Sequence, residues 1–151
     1  MLCNGEYKNA VEMFKKALSI DKHQTYNYYN LAVAYEKLND SYKVREYFDK
    51  FIQYNPEYAK GLNEYGKWLI NVSDFEEAQR KLKKAQKLDA DNVDTINMLF
   101  LTYHALVKKN FSEYNVKEAI SIANKALELG RFDYMPQKQE LEQMLGNFQG
   151  N

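Results

Sequence analysis

The sequence predicts an all-α fold, a right-handed αα superhelix built from stacked antiparallel helix pairs. Three observations carry that expectation. Apolar residues recur at a register of about 34 residues, they stand three and four apart within each ladder, and turn-forming residues separate the ladders. Only two prolines and six glycines occur, which leaves room for long helices.

The first ladder runs Ala10, Val44, Ala78; Phe14, Phe48, Leu82; Ala17, Phe51, Ala85; and Ile20, Tyr54, Leu88. The second runs Tyr28, Leu62, Ile96; Leu31, Tyr65, Leu99; Ala32, Gly66, Phe100; and Tyr35, Leu69, Tyr103. Spacings of three and four put each set on one side of a helix, so each repeat is two helices with a short turn. Gly5-Glu6, Asn39-Asp40 and Ser73-Asp74 supply the turns, and a Ser, Asp or Asn there can cap the helix that follows. Pro56 marks a stop between repeats.

Tyr28, Leu31, Ala32, Tyr35, Val44, Phe48, Phe51 and Pro56 resemble the tetratricopeptide repeat (TPR) consensus, and Leu62, Tyr65, Gly66, Leu69, Ala78, Leu82 and Ala85 repeat it. The resemblance implies a TPR solenoid of about 3.5 repeats with a C-terminal capping helix. The expected division of a single domain over 1–151 is a partial repeat at 1–24, repeats at 25–58 and 59–92, a divergent repeat at 93–130, and a capping helix with tail at 131–151. Phe51 and Phe100 replace the usual small residues, which predicts looser or shifted packing around Phe51. Ala119, Ala123, Ala126 and Leu129 resume the ladder about seven residues late, and 108–115 is the expected place of the insertion, as a helical extension followed by a loop. A last helix over roughly 134–147 should bury Leu141, Met144, Leu145 and Phe148 and turn Gln137, Lys138, Gln139 and Glu142 outward.

The resemblance implies a protein-binding scaffold or adaptor that holds a peptide or protein segment in a concave groove lined by the first helix of each pair. That groove should present Tyr26, Tyr29, Asn30 and Val33, then Lys60, Asn63, Glu64, Lys67 and Asn71, then Asn97, Met98, Leu101 and His104. Asparagine can both donate to and accept from a peptide backbone. One TPR subclass clamps the acidic tail of heat-shock chaperones. Asn30 and Lys60 would fit that clamp, but Glu64 stands where it needs an arginine and would repel the tail. The alternatives are a self-assembling structural solenoid or a helper domain of a larger multi-protein complex. The N-terminal helix, with Ala10, Val11 and Phe14 open to whatever precedes it, offers an edge for self-association.

Other classes find little support. Lys+Arg and Asp+Glu are both 21, so no net charge calls for nucleic acid. The basic run Arg80, Lys81, Lys83, Lys84 and Lys87 reads as a solvated helix face beside Glu76 and Glu77. No apolar run is long enough to cross a membrane. Cys3, His23 and His104 lack metal-ligand spacing, and no phosphate loop or distinguished carboxylate pair appears. No cofactor, no metal and no enzymatic activity are expected. A lone cysteine fits a reducing compartment, so the expected location is cytoplasmic.

Overall fold

A computed structural model describes residues 4–149. Among them are eight helices and no strand: α1 (Asn4–Ile20), α2 (Tyr26–Lys37), α3 (Ser41–Tyr54), α4 (Ala59–Asn71), α5 (Phe75–Leu88), α6 (Val93–Lys109), α7 (Glu113–Glu128) and α8 (Met135–Gln149). The chain forms two compact units, one ending at Gly61 and the other beginning at Leu62. Helices consecutive in sequence pack on one another, α1 on α2 and α2 on α3 in the first unit, α5 on α6, α6 on α7 and α7 on α8 in the second. This is the all-α arrangement of sequential helix pairs that the ladders predict.

In the first unit Leu31, Ala32, Val44, Phe48 and Phe51 are buried. The turn into α3 works as its residues suggest. Asn39 takes a left-handed φ of 58°, and the Asp40 carboxylate accepts from the Lys43 N–H to cap the helix. Gly5 and Glu6 form no turn; both lie inside α1, which already runs from Asn4. Met1, Leu2 and Cys3, expected to supply one covering turn, lie outside the described residues. Phe51 is not loosely packed. Its ring sits among Tyr26, Tyr29 and Tyr58, with centroids 5.6–5.8 Å apart, and it is fully buried. Gly61 makes the room, since a Cβ there would lie 2.3 Å from Phe51 Cε1. The bulk gained at one position is offset by its loss at another. Tyr35, expected in the core, is only half-buried.

In the second unit Leu62, Tyr65, Leu69, Leu82, Leu99, Tyr103, Val116 and Ala123 are buried. Gly66 lets Leu82 approach closely, for a Cβ there would meet Leu82 Cδ2 at 2.6 Å. Ser73 repeats the left-handed turn at φ 61°, and Asp74 caps α5 through the Glu77 N–H. The late register is resolved in a different way from the expected extension and loop. The three hairpin loops, 38–40, 72–74 and 110–112, have the same length. α2 and α4 end two residues past Tyr35 and Leu69, whereas α6 ends six past Tyr103. α3 and α5 start three residues before Val44 and Ala78, whereas α7 starts six before Ala119. The insertion is therefore all helix, one added turn on each arm, and residues 113–115 belong to α7 rather than to a loop.

Helix α8 departs from expectation on both faces. Leu141 is buried, but Phe148 is largely exposed, with its ring 5.2 Å from that of Phe111 at the tip of the lengthened hairpin. Gln137 and Lys138, expected outside, are half-buried, and Lys138 pairs with Glu142. Gln137 falls where α4 and α6 carry Leu62 and Ile96, which takes its side chain inward and leaves its Oε1 buried without a partner.

Candidate functional site

The outer side of each first helix carries the residues expected to meet a ligand. In the first unit Tyr26 and Tyr29 both lean on Phe51, Tyr29 also on Phe48 at 6.1 Å. Tyr26 stays exposed, while Tyr29, Asn30 and Val33 are half-buried and Lys60 is exposed. These tyrosines pack against a core residue and keep part of each side chain accessible, which suits an amphipathic ring.

In the second unit Asn63 and Asn97 are already bonded within the fold. Asn63 is 7% exposed, and its side-chain oxygen accepts from the Thr95 hydroxyl at 2.9 Å. Asn97 accepts from the Tyr134 hydroxyl at 2.7 Å. Each bond ties one first-helix face to the next segment that lies beside it, α4 to α6 and α6 to the residue before α8. The Tyr134 ring also lies 4.5 Å from that of Phe100. The remaining positions face out to different degrees. Lys67 and Asn71 are exposed, Glu64 and Met98 are half-buried, and Leu101 is 55% exposed despite its apolar side chain.

His104 stacks on Phe100 at 5.9 Å and 14°. Burial pushes its pKa below the ordinary histidine value, the nearby Lys108 charge pushes it further down, and Glu140 opposes both. Folding thus favours the neutral ring. Its contribution to stability is present above the ordinary histidine pKa and is lost as pH falls through the depressed one. A pH titration of the His104 ring by NMR is expected to give a midpoint below the ordinary value, and His104→Gln should flatten the acid limb of the stability curve.

Sequence reasoning missed Thr95, Phe100 and Tyr134 as parts of this face. Thr95 and Phe100 stand on helix positions where a buried partner, not periodicity, decides the role, and Tyr134 lies in a loop with no ladder position to mark it. The basic run on α5 is largely neutralised: Arg80 and Lys81 pair with Glu77, and Lys83 with Glu118. Among the described residues no helix is long and apolar enough to cross a membrane, and no three His, Cys, Asp or Glu side chains gather as metal ligands.

Comparison with known proteins agrees with this architecture. The family model of the tetratricopeptide repeat matches residues 4–24 and 25–58. Heat shock protein STI1 of Saccharomyces cerevisiae is 30% identical over 88 residues, which is 58% of this chain and 15% of that protein. TPR repeat-containing protein MJ1428 of Methanocaldococcus jannaschii is 35% identical over 95 residues, 61% of this chain and 16% of that protein. The chain thus spans about a sixth of the length of these curated relatives. The crystal structure of MamA superposes with a TM-score of 0.63 over 95% of this chain and 92% of that one, at 18% identity, a likeness of fold. Repeat register, helix pairing and family match agree: residues 4–58 carry tetratricopeptide repeats, a repeat whose domains generally mediate protein–protein interaction and are typically non-catalytic.

Proposed function

We propose that the chain is a binding adaptor that takes a peptide or protein segment on the outer side of its first helices. The observation that carries this reading is Leu101. A leucine 55% exposed lies on a face whose neighbouring polar groups, Asn63 and Asn97, are already bonded within the fold. One turn on from the Asn63–Thr95 bond, α4 presents Lys67 and α6 presents Met98, with Leu101 nearly a turn further along α6. An apolar contact beside a lysine suits a segment carrying a hydrophobic side chain, with Asn71 and Glu64 for polar contacts. In the first unit Tyr26, Tyr29, Asn30, Val33 and Lys60 offer a similar mixture.

A random dodecapeptide library displayed on phage tests the proposal. Selected peptides should bind the parent chain and lose about tenfold or more in affinity to Leu101→Asp, and Tyr29→Ala should weaken those that engage the first unit. Lys84→Ala, on the exposed side of α5, should leave both unchanged. Peptides indifferent to Leu101→Asp and Tyr29→Ala but sensitive to Lys84→Ala would move the site to the second helices.

A second reading, self-association through α1, is favoured by Met13 and Ile20. They stand about two turns apart on one side of α1 and are 71% and 77% exposed. Phe14 and Ala10 are half-buried and Val11 is buried, so the edge is less bare than its sequence implies. Sedimentation velocity should show oligomers that Met13→Glu and Phe14→Glu reduce; a parent chain that stays monomeric at millimolar concentration would end this reading.

A further inference from the structure

In the second unit three helices close on one carboxylate. The Lys83 ammonium of α5 and the Tyr103 hydroxyl of α6 both donate to Glu118 Oε2 of α7, each at 3.0 Å. Tyr103 is fully buried, so Glu118 supplies the acceptor its hydroxyl needs. The repeat register places the same three positions of the first unit at Lys15 on α1, Tyr35 on α2 and Lys43 on α3. The lysine and the tyrosine are kept. The carboxylate is replaced by a second lysine.

The first unit shows the consequence. The Lys15 ammonium lies 5.6 Å from the Tyr35 ring centroid; the neighbouring Tyr35 hydroxyl pushes its pKa up, and the Lys43 charge acts against that. Among the described residues Lys15 has no carboxylate partner. Lys43 pairs with Glu46 at 2.6 Å, but Glu46 also holds Lys50 at 2.7 Å, so three lysines have one carboxylate in contact between them. Tyr35 is held in place by a stack of rings. It lies on Tyr47 at 5.5 Å and 6°, Tyr47 on Tyr28, and Tyr28 on Tyr54. Two lysines and a tyrosine thus stand at the register positions around a place that a carboxylate fills elsewhere in the same chain.

We propose that Lys15, Tyr35 and Lys43 bind a side-chain carboxylate of an Asp- or Glu-rich segment of a partner protein, in the role that Glu118 plays in the second unit. Charge-assisted bonds from two ammonium groups match a carboxylate. The neighbouring Lys50 and the exposed Tyr42, within 5.5 Å of Lys43, extend the same surface. This site uses α1 and α3 as well as α2, so it stands apart from the first-helix face proposed above.

The test titrates a hexaglutamate peptide into the isotopically labelled chain and follows the Lys15 and Lys43 side-chain and Tyr35 ring signals by NMR, at low salt. Saturable shifts of these signals are expected, weakened by added salt, with none from hexaglutamine. Lys43→Glu places the missing carboxylate in the chain itself and should weaken peptide binding at least about tenfold while the thermal melt stays cooperative. Lys15→Gln, an exposed substitution, gives the same loss without reversing a charge. Leu101→Asp should leave this binding unchanged, which separates the two sites. Absence of shifts, binding that survives both lysine variants, or shifts centred on Lys84 and Lys87 would overturn the proposal. So would tighter binding at these residues by oligothymidylate than by hexaglutamate, which would assign the lysines to nucleic acid.

Discussion

Leu82→Ala is expected to destabilise the chain by about 2–5 kcal/mol, measured as a shift of the urea midpoint at unchanged slope. Leu82 is fully buried, and it rests directly on Gly66, where no side chain stands ready to fill the space it leaves. The size of the loss reflects both the apolar surface withdrawn and the void that remains. Gly66→Ala in the same background should recover part of it, because its Cβ enters the space vacated by the Leu82 branch. Gly66→Ala alone should destabilise, for that Cβ would overlap the leucine. A loss below about 1 kcal/mol for Leu82→Ala would remove Leu82 from the core of the second unit.

Gly61→Ala is expected to cost about 1–3 kcal/mol by overpacking. The added Cβ would meet Phe51 Cε1 at 2.3 Å and Tyr58 Cδ1 at 2.9 Å. The Phe51 ring cannot swing away freely, because Tyr26, Tyr29 and Tyr58 surround it. Phe51→Ala alone should cost about 3–5 kcal/mol. The double variant should cost clearly less than the two losses added, since each change relieves the strain or the void of the other. Simple additivity would show that the glycine and the phenylalanine are not a matched pair.

The fold was legible because its information is periodic. Leu31, Phe48, Leu69, Leu82 and Leu99 recur at the repeat register, and each is buried. Caps were legible for a similar reason: Asp40 and Asp74 sit at the one position where a carboxylate can reach the free N–H groups of the next helix. What failed was information held between non-equivalent residues. Nothing at Phe51 announces that Gly61 accommodates it, and nothing at Asn63 or Asn97 announces that Thr95 and Tyr134 occupy them. The register also gave which residues share the first-helix side without saying how much of each remains accessible, so Asn63 and Leu101 read as equals and differ sharply in exposure. Tyr35 illustrates the opposite error. Its ladder position suggested the core, where Tyr103 at the same position is buried with its hydroxyl on Glu118. Tyr35 has Lys43 in place of that carboxylate and is only half-buried, beside Lys15.

The even division of the insertion between α6 and α7 bears on how this protein can change length. On α6 the added turn follows the ladder residues, and on α7 it precedes them, so neither helix is rotated about its axis and no buried contact is re-aimed. Growth confined to one arm would leave a lone turn without a facing neighbour, whereas paired growth covers itself. This end of the hairpin therefore behaves as a telescoping joint. It can be drawn out or shortened a turn at a time on both arms, and its tip, with Phe111 resting against Phe148, is a natural port for grafting a foreign hairpin or reporter sequence without disturbing the repeats beneath.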